Sequence, residues 1–465
     1  MSHSLFWFRN DLRLHDNHGL AAASADGPAL ALYIATPRQW DFHADAPIKR
    51  DFWRRNLVEL ERRLAELGIP LLHAEVPTYD DVVPLLEQLL PALKIRVLHC
   101  NREYPLNERR RDRAVEELCS RLGLRFTVHE DQLLTSPLRL LNQSEAPFKV
   151  FTPFARAARA LLQQAPPTGA PAVKPQARPK LAPHPLLKSC EELRWPRAEA
   201  AWTALWPAGE EQARAALTAF CSERLPDYAQ RRDLPATTGT SVLSPYLASG
   251  VLSVRECWRE SLLFGEESQG VTAWQNELLW RDFYKHVAWH FSRVCRHLPW
   301  RDDVEHVPWR HDEAEFARWC EGRTGFPIID AGMRQLAQTG WMHNRLRMLT
   351  ASFLCKHLLI DWRWGERYFM QHLVDGDFAA NNGGWQWSAS TGTDAAPYFR
   401  IFNPVTQSQR FDPEGRFIRR FVPELAALDE RAIHLPGEMR PADYPEPMVD
   451  LAFGRERALA AFASR

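Results

Sequence analysis

Residues 5–17 read LFWFRNDLRLHDN and open with a run of four apolar residues, Leu5–Phe8, that ends at the charged Arg9. A short apolar run of this kind is typical of a strand buried on both faces of a sheet. We expect further buried strands where similar runs recur, at 29–34, 69–73, 95–99 and 124–129.

Helical patterns separate these runs. Over 49–67, apolar residues from Phe52 to Leu64 recur at intervals of three to five, and Gly68 follows as a stop signal. Strands that alternate with helices predict an α/β domain over 1–130, built on a parallel, Rossmann-like sheet. The glycine pattern GxGxxG does not occur, so the usual dinucleotide-binding turn is not expected. Other helical patterns lie around 20–23, at 79–93 and at 107–122.

The composition and the hydrophobic pattern of the remaining chain change twice. Seven prolines fall within 165–185, where neither a helix nor a central strand can persist. From 146 to 190 there are seven Lys or Arg and no acidic residue, and we interpret 131–204 as a long, Pro-rich interdomain linker. From 205 to 465, helical periodicity predicts a large all-α domain. Its clearest helical stretches are 275–295 and 333–359.

The composition excludes several classes of protein. Of 465 residues, 45% are hydrophobic and 25% are charged, which rules out a mostly disordered chain or a disulfide-rich miniprotein. Lys plus Arg and Asp plus Glu number 58 each, so any grip on nucleic acid must come from a local basic face. The eight cysteines show no metal-ligand spacing, and no metal site is predicted. Without a long apolar run or a secretion signal, we expect a cytoplasmic protein.

Tryptophan is concentrated in one window. Twelve of the 18 tryptophans lie between 258 and 387. Either all of these indoles pack in a large helical core, or some of them have a direct role in the protein's chemistry.

Two stretches place polar groups on one helical face. On a helix, Glu277, Trp280, Arg281 and Tyr284 share a face, which is either a rim with a Glu–Arg pair or the wall of a pocket for a flat polar ligand. In WMHNRLRM, residues 341–348, an amide and a thioether lie on one face and suit the edge of a heteroaromatic ring, although a solvated arginine face gives the same pattern.

Two further stretches have ligand-binding character. Residues 375–404, DGDFAANNGGWQWSASTGTDAAPYFRIFNP, contain glycines that permit close approach to a ligand or simply a turn between helices. Trp385 and Trp387 are two residues apart, so they point to different environments. Residues 239–245, GTSVLSP, offer hydroxyls that either bind phosphate or cap a helix.

The N-terminal stretch 5–17 together with 375–404 resembles the photolyase/cryptochrome flavoprotein family, and the resemblance extends over essentially the whole chain. The details are most similar to bacterial cyclobutane pyrimidine dimer photolyases of the folate-antenna type. The resemblance implies an antenna domain, a connector and a helical domain that holds FAD, reduced and anionic in its active form. It also implies light-driven repair of DNA by electron transfer from FAD to a flipped-out dimer.

The same resemblance implies a set of flavin residues. Within it, 240–244 would hold the pyrophosphate, Arg347 and Asp375 would pair beside the ring system, and the neutral amide of Asn381 would face its central-ring nitrogen. The implied set is Tyr228, Thr240, Ser241, Val242, Leu243, Ser244, Trp274, Glu277, Arg281, Asn344, Arg347, Asp375, Gly376, Asp377 and Asn381.

The resemblance also implies substrate contacts. Trp280 and Trp387 would stack on the flipped bases, and Glu277 would hydrogen-bond a thymine edge and stabilise the dimer anion. Asn344 and Met348 would contact the dimer. The candidates for phosphate contact are Arg232, Arg281, Arg345 and Arg400.

Two further groups follow from the resemblance. Trp385, Trp362 and Trp309 correspond to an electron-hopping chain, with Trp385 nearest the flavin. His43, Asn107 and Glu108 correspond to positions that hold a methenyl-folate antenna. Arg296 stands where the family usually has a lysine, which keeps the charge and changes the geometry.

Three alternatives are weighed against dimer repair. A (6-4) photolyase needs a histidine pair where this chain has Asn344 and Met348. A cryptochrome-type blue-light receptor usually carries a long variable tail, whereas 78 residues follow Trp387 here. A flavin oxidoreductase for a small metabolite does not suit a cavity of indoles and arginines. We expect the repair enzyme to be a monomer.

Overall fold

A computed structural model describes residues 2–193, 195–265 and 268–463. The chain divides into two compact units, one made of residues 1–226 and 241–292 and the other of residues 227–240 and 293–465. The boundaries placed at 130 and 204 stay a prediction.

The first unit contains a five-stranded parallel sheet. Its order is β3-β2-β1-β4-β5, and every neighbouring pair is parallel. The predicted α/β fold with a parallel sheet is confirmed, because apolar runs buried on both faces can pack only between layers of helices. The strands are β1 (His3–Phe8), β2 (Ala29–Ala35), β3 (Leu71–Glu75), β4 (Ile95–Asn101) and β5 (Arg125–His129).

Helices account for most of the remaining regular structure, and the mostly helical character predicted for the C-terminal part is confirmed. In chain order they are α1 (His18–Ala25), α2 (Pro37–Phe42), α3 (Pro47–Glu66), α4 (Val82–Ala92), α5 (Leu106–Arg121), α6 (Phe151–Gln164), α7 (Ala200–Leu205), α8 (Glu210–Glu223), α9 (Tyr228–Arg231), α10 (Ser244–Ala248), α11 (Val254–Leu262), α12 (Gln269–His290), α13 (Glu313–Cys320), α14 (Pro327–Thr339), α15 (Asn344–Ser352), α16 (Trp362–His372), α17 (Phe378–Ala389), α18 (Pro404–Phe411), α19 (Arg416–Phe421) and α20 (Leu451–Ala463). A π-helical turn, Phe353–His357, extends α15. Short 3₁₀ turns lie at Tyr79–Asp81, Cys190–Glu192, Val294–Arg296, Asp302–Val304, Pro423–Leu425, Ala432–His434 and Gly437–Met439.

The core of the first unit lies against the sheet. Leu5 and Trp7 of β1 are buried with Leu30 and Leu32 of β2. The amphipathic helix α4 covers them and contributes Leu86 among other leucines. Removal of this apolar surface from water is the main favourable contribution to the sheet's stability.

The predicted linker is only partly irregular. Residues 166–184 form neither helix nor strand and are mostly exposed, as the proline content requires. Helix α6, however, lies inside the 131–204 stretch. Its buried face, Phe151, Phe154, Ala155, Ala158 and Leu162, follows helical spacing.

The second unit is a helical bundle with an aromatic core. Its largest cluster buries Trp319, Phe353, Trp362, Phe369 and Trp385. The predicted helical stretch 333–359 is helical with one break: α14 ends at Thr339, Gly340 follows with a left-handed φ of 67°, and α15 begins after His343. Glycine tolerates that conformation at a helix C-terminus, which explains the break.

In the described parts of the chain, no helix combines the length and the apolar character that a membrane crossing requires.

Candidate functional site

A buried ion pair organises the polar face of α15 in the second unit. Arg347 donates from Nη2 to both carboxylate oxygens of Asp375, at 3.0 and 2.8 Å, and from Nε to the main-chain oxygen of Met342 at 2.8 Å. The Asp375 side chain is 2% exposed and that of Arg347 is 25% exposed. The expected pairing is present. The position of a flavin beside it stays a prediction.

His343 fixes the start of α15. Its side chain accepts a hydrogen bond from the main-chain N of Arg345 at 3.2 Å, and its own main-chain N donates to Oε1 of Gln335 at 3.1 Å. Burial lowers the pKa of His343 to about 4, so the imidazole is neutral near pH 7 and can accept this bond. The cap thereby sets the position of the polar residues that follow it on α15.

Asn344 and Met348 are in contact on α15. Nδ2 of Asn344 lies 4.0 Å from Sδ of Met348, as the i, i+4 spacing allows. Asn344 is exposed and Met348 is half-buried. The expected face of amide beside thioether is therefore formed and open to solvent, whereas its contact with a dimer stays a prediction.

Asn381 lies in the first turn of α17. Asp377 caps this helix by accepting a hydrogen bond from the main-chain N of Ala380 at 3.0 Å. Asn381 donates from Nδ2 to the main-chain oxygen of Glu366 in α16 at 2.9 Å, which orients its half-buried side chain. Gly376, which is buried, joins Asp375 to this cap.

The buried carboxylate of Glu366 links the same region to a histidine. It accepts a hydrogen bond from Nδ2 of Asn382 at 2.8 Å and lies 2.9 Å from Nδ1 of His297. The hydrogen bond to Glu366 raises the pKa of His297. Glu366 lies on α16 and Asn382 lies on α17. Their hydrogen bond, together with the contact to His297, holds the two helices in a fixed register.

The glycines of 375–404 do not form a turn between helices over 378–389, because these residues form α17. Within that helix Trp385 is buried and Trp387 is half-buried, which confirms that the two indoles have different environments. Trp385 packs edge-on against Phe369 of α16, with ring centroids 4.9 Å apart. A Cβ added at Gly365 would lie 2.1 Å from the Trp385 ring, so only glycine permits this close approach.

The three indoles assigned to electron transfer share one hydrophobic cluster of the second unit. Trp385 and Trp362 are buried members, and the half-buried Trp309 packs against the cluster. A bridge between Arg310 and Ile360 pairs the segments that carry Trp309 and Trp362. Exposure therefore increases from Trp385 and Trp362 to Trp309, in the direction expected for a chain that ends at the surface. The electron-transfer role itself stays a prediction.

In the first unit, α12 presents the predicted polar face. Glu277, Trp280, Arg281 and Tyr284 are all half-buried. The positions between them, including Leu278 and Leu279, are buried in the core. The face thus lies along the boundary between core and solvent.

The aromatic residues of α12 have protein partners. Trp280 stacks on Phe151 of α6, with centroids 3.7 Å apart and an interplanar angle of 8°. Phe283 and Tyr284 also lie near this indole, at 5.7 and 5.5 Å between centroids, and the base stacking stays a prediction. Trp274 is buried, with its centroid 4.9 Å from that of Phe220.

Two charged residues attach α12 to the segment after β5. Arg281 donates from Nη1 to the main-chain oxygen of Gln132 at 2.7 Å. The buried carboxylate of Asp282 accepts from the main-chain N of Leu134 at 2.7 Å and of Thr135 at 3.1 Å. Burial raises the pKa of Asp282 to about 6. These bonds fix the helix that carries Glu277.

The hydroxyl run divides between the units. Thr240 belongs to the second unit, and Ser241, Val242, Leu243 and Ser244 belong to the first. Val242 has a left-handed φ of 55°, and the N-cap position of α10 is Leu243, which has no hydroxyl. Leu243 itself does not cap α10, and the Ser241 hydroxyl accepts a hydrogen bond from the main-chain N of Leu243 at 3.4 Å. Phosphate binding stays a prediction.

The arginines proposed for DNA contact differ in availability. Arg345 is bound to Asp233 at 2.8 Å and lies over the Phe411 ring at 4.4 Å. Arg232 lies 5.5 Å from the ring of the buried Tyr228. The side chain of Arg400 is exposed.

Three predicted antenna residues meet in the first unit. Nε2 of His43 lies 3.1 Å from Nδ2 of Asn107, and its Nδ1 lies 3.9 Å from Oε1 of Glu108. The Tyr79 hydroxyl donates to the same Glu108 oxygen at 3.3 Å, and burial raises the pKa of Glu108. Arg296 lies in a 3₁₀ turn of the second unit.

Several residues that position these side chains leave no periodic pattern in the sequence. Each of these residues either contacts a partner that is distant in the sequence or caps a helix locally. Neither kind of contact produces a periodic pattern in the sequence. For His343, the signal was its place directly before a helical pattern, where polar caps occur. These residues are Phe151, Asp233, Asp282, His343 and Glu366.

Two family models match the chain. The model described as DNA photolyase matches residues 4–174, and the model described as FAD binding domain of DNA photolyase matches residues 274–464.

Full-length relatives are also similar. The chain is 46% identical to the deoxyribodipyrimidine photo-lyase of Vibrio cholerae, with 98% of each chain covered. It is 45% identical to that of Escherichia coli, with 99% of this chain and 98% of the relative covered. Among solved structures, a class III photolyase from Agrobacterium tumefaciens matches with a TM-score of 0.87 and 36% identity, covering 100% of this chain and 98% of that one.

Proposed function

The chain belongs to the DNA photolyase family, and from that membership we propose that it repairs cyclobutane pyrimidine dimers in DNA in a light-dependent reaction. The observation that carries the proposal is the fixed polar face of α15. A buried Asp375 holds Arg347, while Asn344 and Met348 lie together and open to solvent. Such a face can hold a flat polar ligand on one side and a nucleobase on the other.

The match to an FAD-binding domain over residues 274–464 supports the proposed cofactor residues that lie in that range. The Arg347–Asp375 pair keeps a cation at a fixed place, which suits an anionic ring system. Asn381 is anchored through its Nδ2 to Glu366, so its amide is oriented before any ligand arrives. When bound and reduced, FAD supplies the light-excited electron that opens the dimer.

The residues around the dimer have separate tasks. Glu277, on a helix fixed by Asp282, would accept or donate a hydrogen bond at a thymine edge and hold charge where it develops. Trp280 and Trp387 would stack on the flipped bases, at about 1–3 kcal/mol for each stacked base. Arg232, Arg281, Arg345 and Arg400 would contact phosphates.

A folate antenna belongs to the same proposal. His43, Asn107 and the buried Glu108 form a polar cluster whose groups can hydrogen-bond the edge of a pterin. Arg296 would replace the usual lysine at the negatively charged end of the folate.

The cellular setting is part of the proposal as well. All eight cysteines are free thiols, which agrees with a reducing cytoplasm. We propose that the enzyme acts there as a monomer.

The decisive experiment uses purified, chemically reduced protein and DNA that contains cyclobutane dimers. Under blue light the dimers should disappear, and in the dark they should persist. DNA that contains (6-4) photoproducts serves as the second substrate and should remain unchanged. Persistence of cyclobutane dimers under light would overturn the proposal, and loss of (6-4) products would assign the chain to the other repair class.

A further inference from the structure

One side-chain cluster of the first unit lies outside every group described above. It consists of Glu61, His73 and Cys190. Their ligand-type atoms, a carboxylate oxygen, an imidazole nitrogen and a sulfur, all lie within 4.8 Å of one another. Over the residues that the structure describes, this is the one group of three such side chains close enough to hold a metal ion.

Three different elements bring these side chains together. Glu61 lies on α3, and His73 lies on β3, which is an edge strand of the sheet. Cys190 opens the 3₁₀ turn at the end of the linker region. Because these positions are far apart in sequence, their spacing could not reveal a metal site.

The linker end is fastened to the strand that carries the histidine. The main-chain N of Lys188 donates to the main-chain oxygen of His73 at 2.8 Å. The Lys188 ammonium lies 3.1 Å from Oε1 of Glu75, on the same strand. Cys190 therefore reaches the cluster on backbone that is already paired, so little ordering would be needed to bind an ion.

The imidazole of His73 is buried and lies beside the Glu61 carboxylate. The residue is 1% exposed; its Nε2 lies 3.2 Å from Oε2 of Glu61, and its Nδ1 is buried without a hydrogen-bond partner in the described structure. Because Nε2 is the nitrogen beside Glu61, it is the atom that would bind an ion shared with that carboxylate, and neutral imidazole is a common metal ligand.

We propose that Glu61, His73 and Cys190 form a Zn²⁺ site, with a water molecule as the fourth ligand. Thiolate, imidazole and carboxylate are the three ligand types that Zn²⁺ binds, and three protein ligands plus water is a common tetrahedral arrangement. Zinc-ligand bonds of about 2.0–2.3 Å require the three atoms to move somewhat closer together. Glu61, whose side chain is 41% exposed, has the freedom to make that movement.

The charges around the cluster favour a cation. Burial raises the pKa of the Cys190 thiol, and the negative charges of Glu61 and Glu191 raise it further. The nearby cation Arg54 lies 3.0 Å from Asp51, a carboxylate that it shares with Arg55. In this position a zinc ion would fix the end of the linker to the edge of the sheet, which is a structural role.

The test uses untagged, flavin-containing, full-length protein that has been dialysed against a chelator. Zn²⁺ uptake is measured by elemental analysis, and Co²⁺ serves as a spectroscopic probe. We expect one equivalent of either metal, a sulfur-to-cobalt charge-transfer band, and a higher melting temperature with Zn²⁺. Mg²⁺, which prefers an all-oxygen site, should have none of these effects.

Variants assign the ligands. Cys190→Ser should abolish the charge-transfer band, and Glu61→Gln should weaken binding of both metals. Cys320→Ser changes a half-buried cysteine of the second unit and should bind like the unmodified protein. Absence of stoichiometric uptake, or an unchanged band in Cys190→Ser, would overturn the proposal. If Cys190→Ser does not fold, as judged by its melting curve, unchanged affinity in Glu61→Gln overturns it instead.

Discussion

At the scale of single residues, the Arg347–Asp375 pair is the most consequential contact. Replacing Asp375 with Asn leaves a partly buried guanidinium without its counter-charge. Breaking a buried pair in this way costs about 3–5 kcal/mol. We expect Asp375→Asn to lower the free energy of unfolding by a value near the lower end of that range, because Arg347 is partly solvated, and to reduce the flavin content of the purified protein.

A surface pair provides the matched control. Arg113 and Glu117 on α5 lie 3.3 Å apart with side chains 82% and 62% exposed. Exposed pairs contribute about 0.2–1 kcal/mol, so Glu117→Gln should leave stability and flavin content nearly unchanged. The free energy of unfolding of both variants is measured by denaturant unfolding. An equal loss in Asp375→Asn and Glu117→Gln would contradict the prediction that the buried pair contributes more than the exposed one.

Trp385 allows a prediction about electron supply. If it is the indole nearest the flavin, Trp385→Phe should block light-driven reduction of oxidised flavin and spare repair by protein that was reduced beforehand. Absorption spectra recorded during illumination measure the first effect, and dimer loss measures the second. Trp258→Phe, a change in the core of the first unit, should leave photoreduction intact; normal photoreduction in Trp385→Phe would refute the assignment.

At the scale of elements, the cap of α15 makes stability depend on pH. His343 has a pKa of about 4 when folded, below its value of about 6.5 when unfolded, so the unfolded state binds more protons between these values. Its contribution is complete above pH 6.5 and is lost as pH falls towards 4. We expect His343→Asn, which keeps a capping side chain but does not titrate, to lose less stability over this range, by up to about 3 kcal/mol.

Chemical unfolding at a series of pH values measures that difference. His15→Asn changes a half-exposed histidine away from α15 and should follow the unmodified protein. Parallel pH profiles for His343→Asn and the unmodified protein would show that the cap does not titrate.

Two glycines test how tightly α16 and α17 pack. A Cβ at Gly365 would meet the Trp385 ring at 2.1 Å, whereas a Cβ at Gly384 would meet nothing within 4 Å. We expect Gly365→Ala to destabilise the protein by about 1–3 kcal/mol through overpacking. Gly384→Ala, inside α17, should stabilise it by up to about 1 kcal/mol through helix propensity. Thermal unfolding of the two variants should therefore shift in opposite directions.

At the scale of the whole molecule, the chain has zero net charge, and we predict that it binds DNA through a local set of arginines. Binding should weaken steeply with salt, with a logarithmic slope of about −0.9 for each phosphate that is neutralised in duplex DNA. Arg400→Ala, at an exposed side chain, should make the slope shallower by about that amount. Arg113→Ala on α5 should not change it; identical slopes for both variants, measured by fluorescence anisotropy, would exclude Arg400 from the interface.

The sheet could be predicted from the sequence because each strand overlaps a short apolar run. Such a run can be recognised locally, without knowledge of tertiary contacts. The polar faces of α12 and α15 could be predicted for a similar reason, since helical spacing is local. Helix α6 was missed because the prolines that follow it dominated the interpretation of the linker. The partners of Trp280, Arg345 and Asn381 could not be predicted, because Phe151, Asp233 and Glu366 meet them only through the tertiary fold.

The stack of Trp280 on Phe151 has a consequence for entropy. A free indole loses side-chain rotational freedom when a base lands on it, at a cost of about 0.5–1.5 kcal/mol. Here a neighbouring ring 3.7 Å away already holds the indole in one orientation. That loss is incurred once, when the protein folds, so an arriving base would meet a surface that is already immobile. Discrimination between a damaged and an intact site would then depend on the mobility of the DNA rather than on that of the protein.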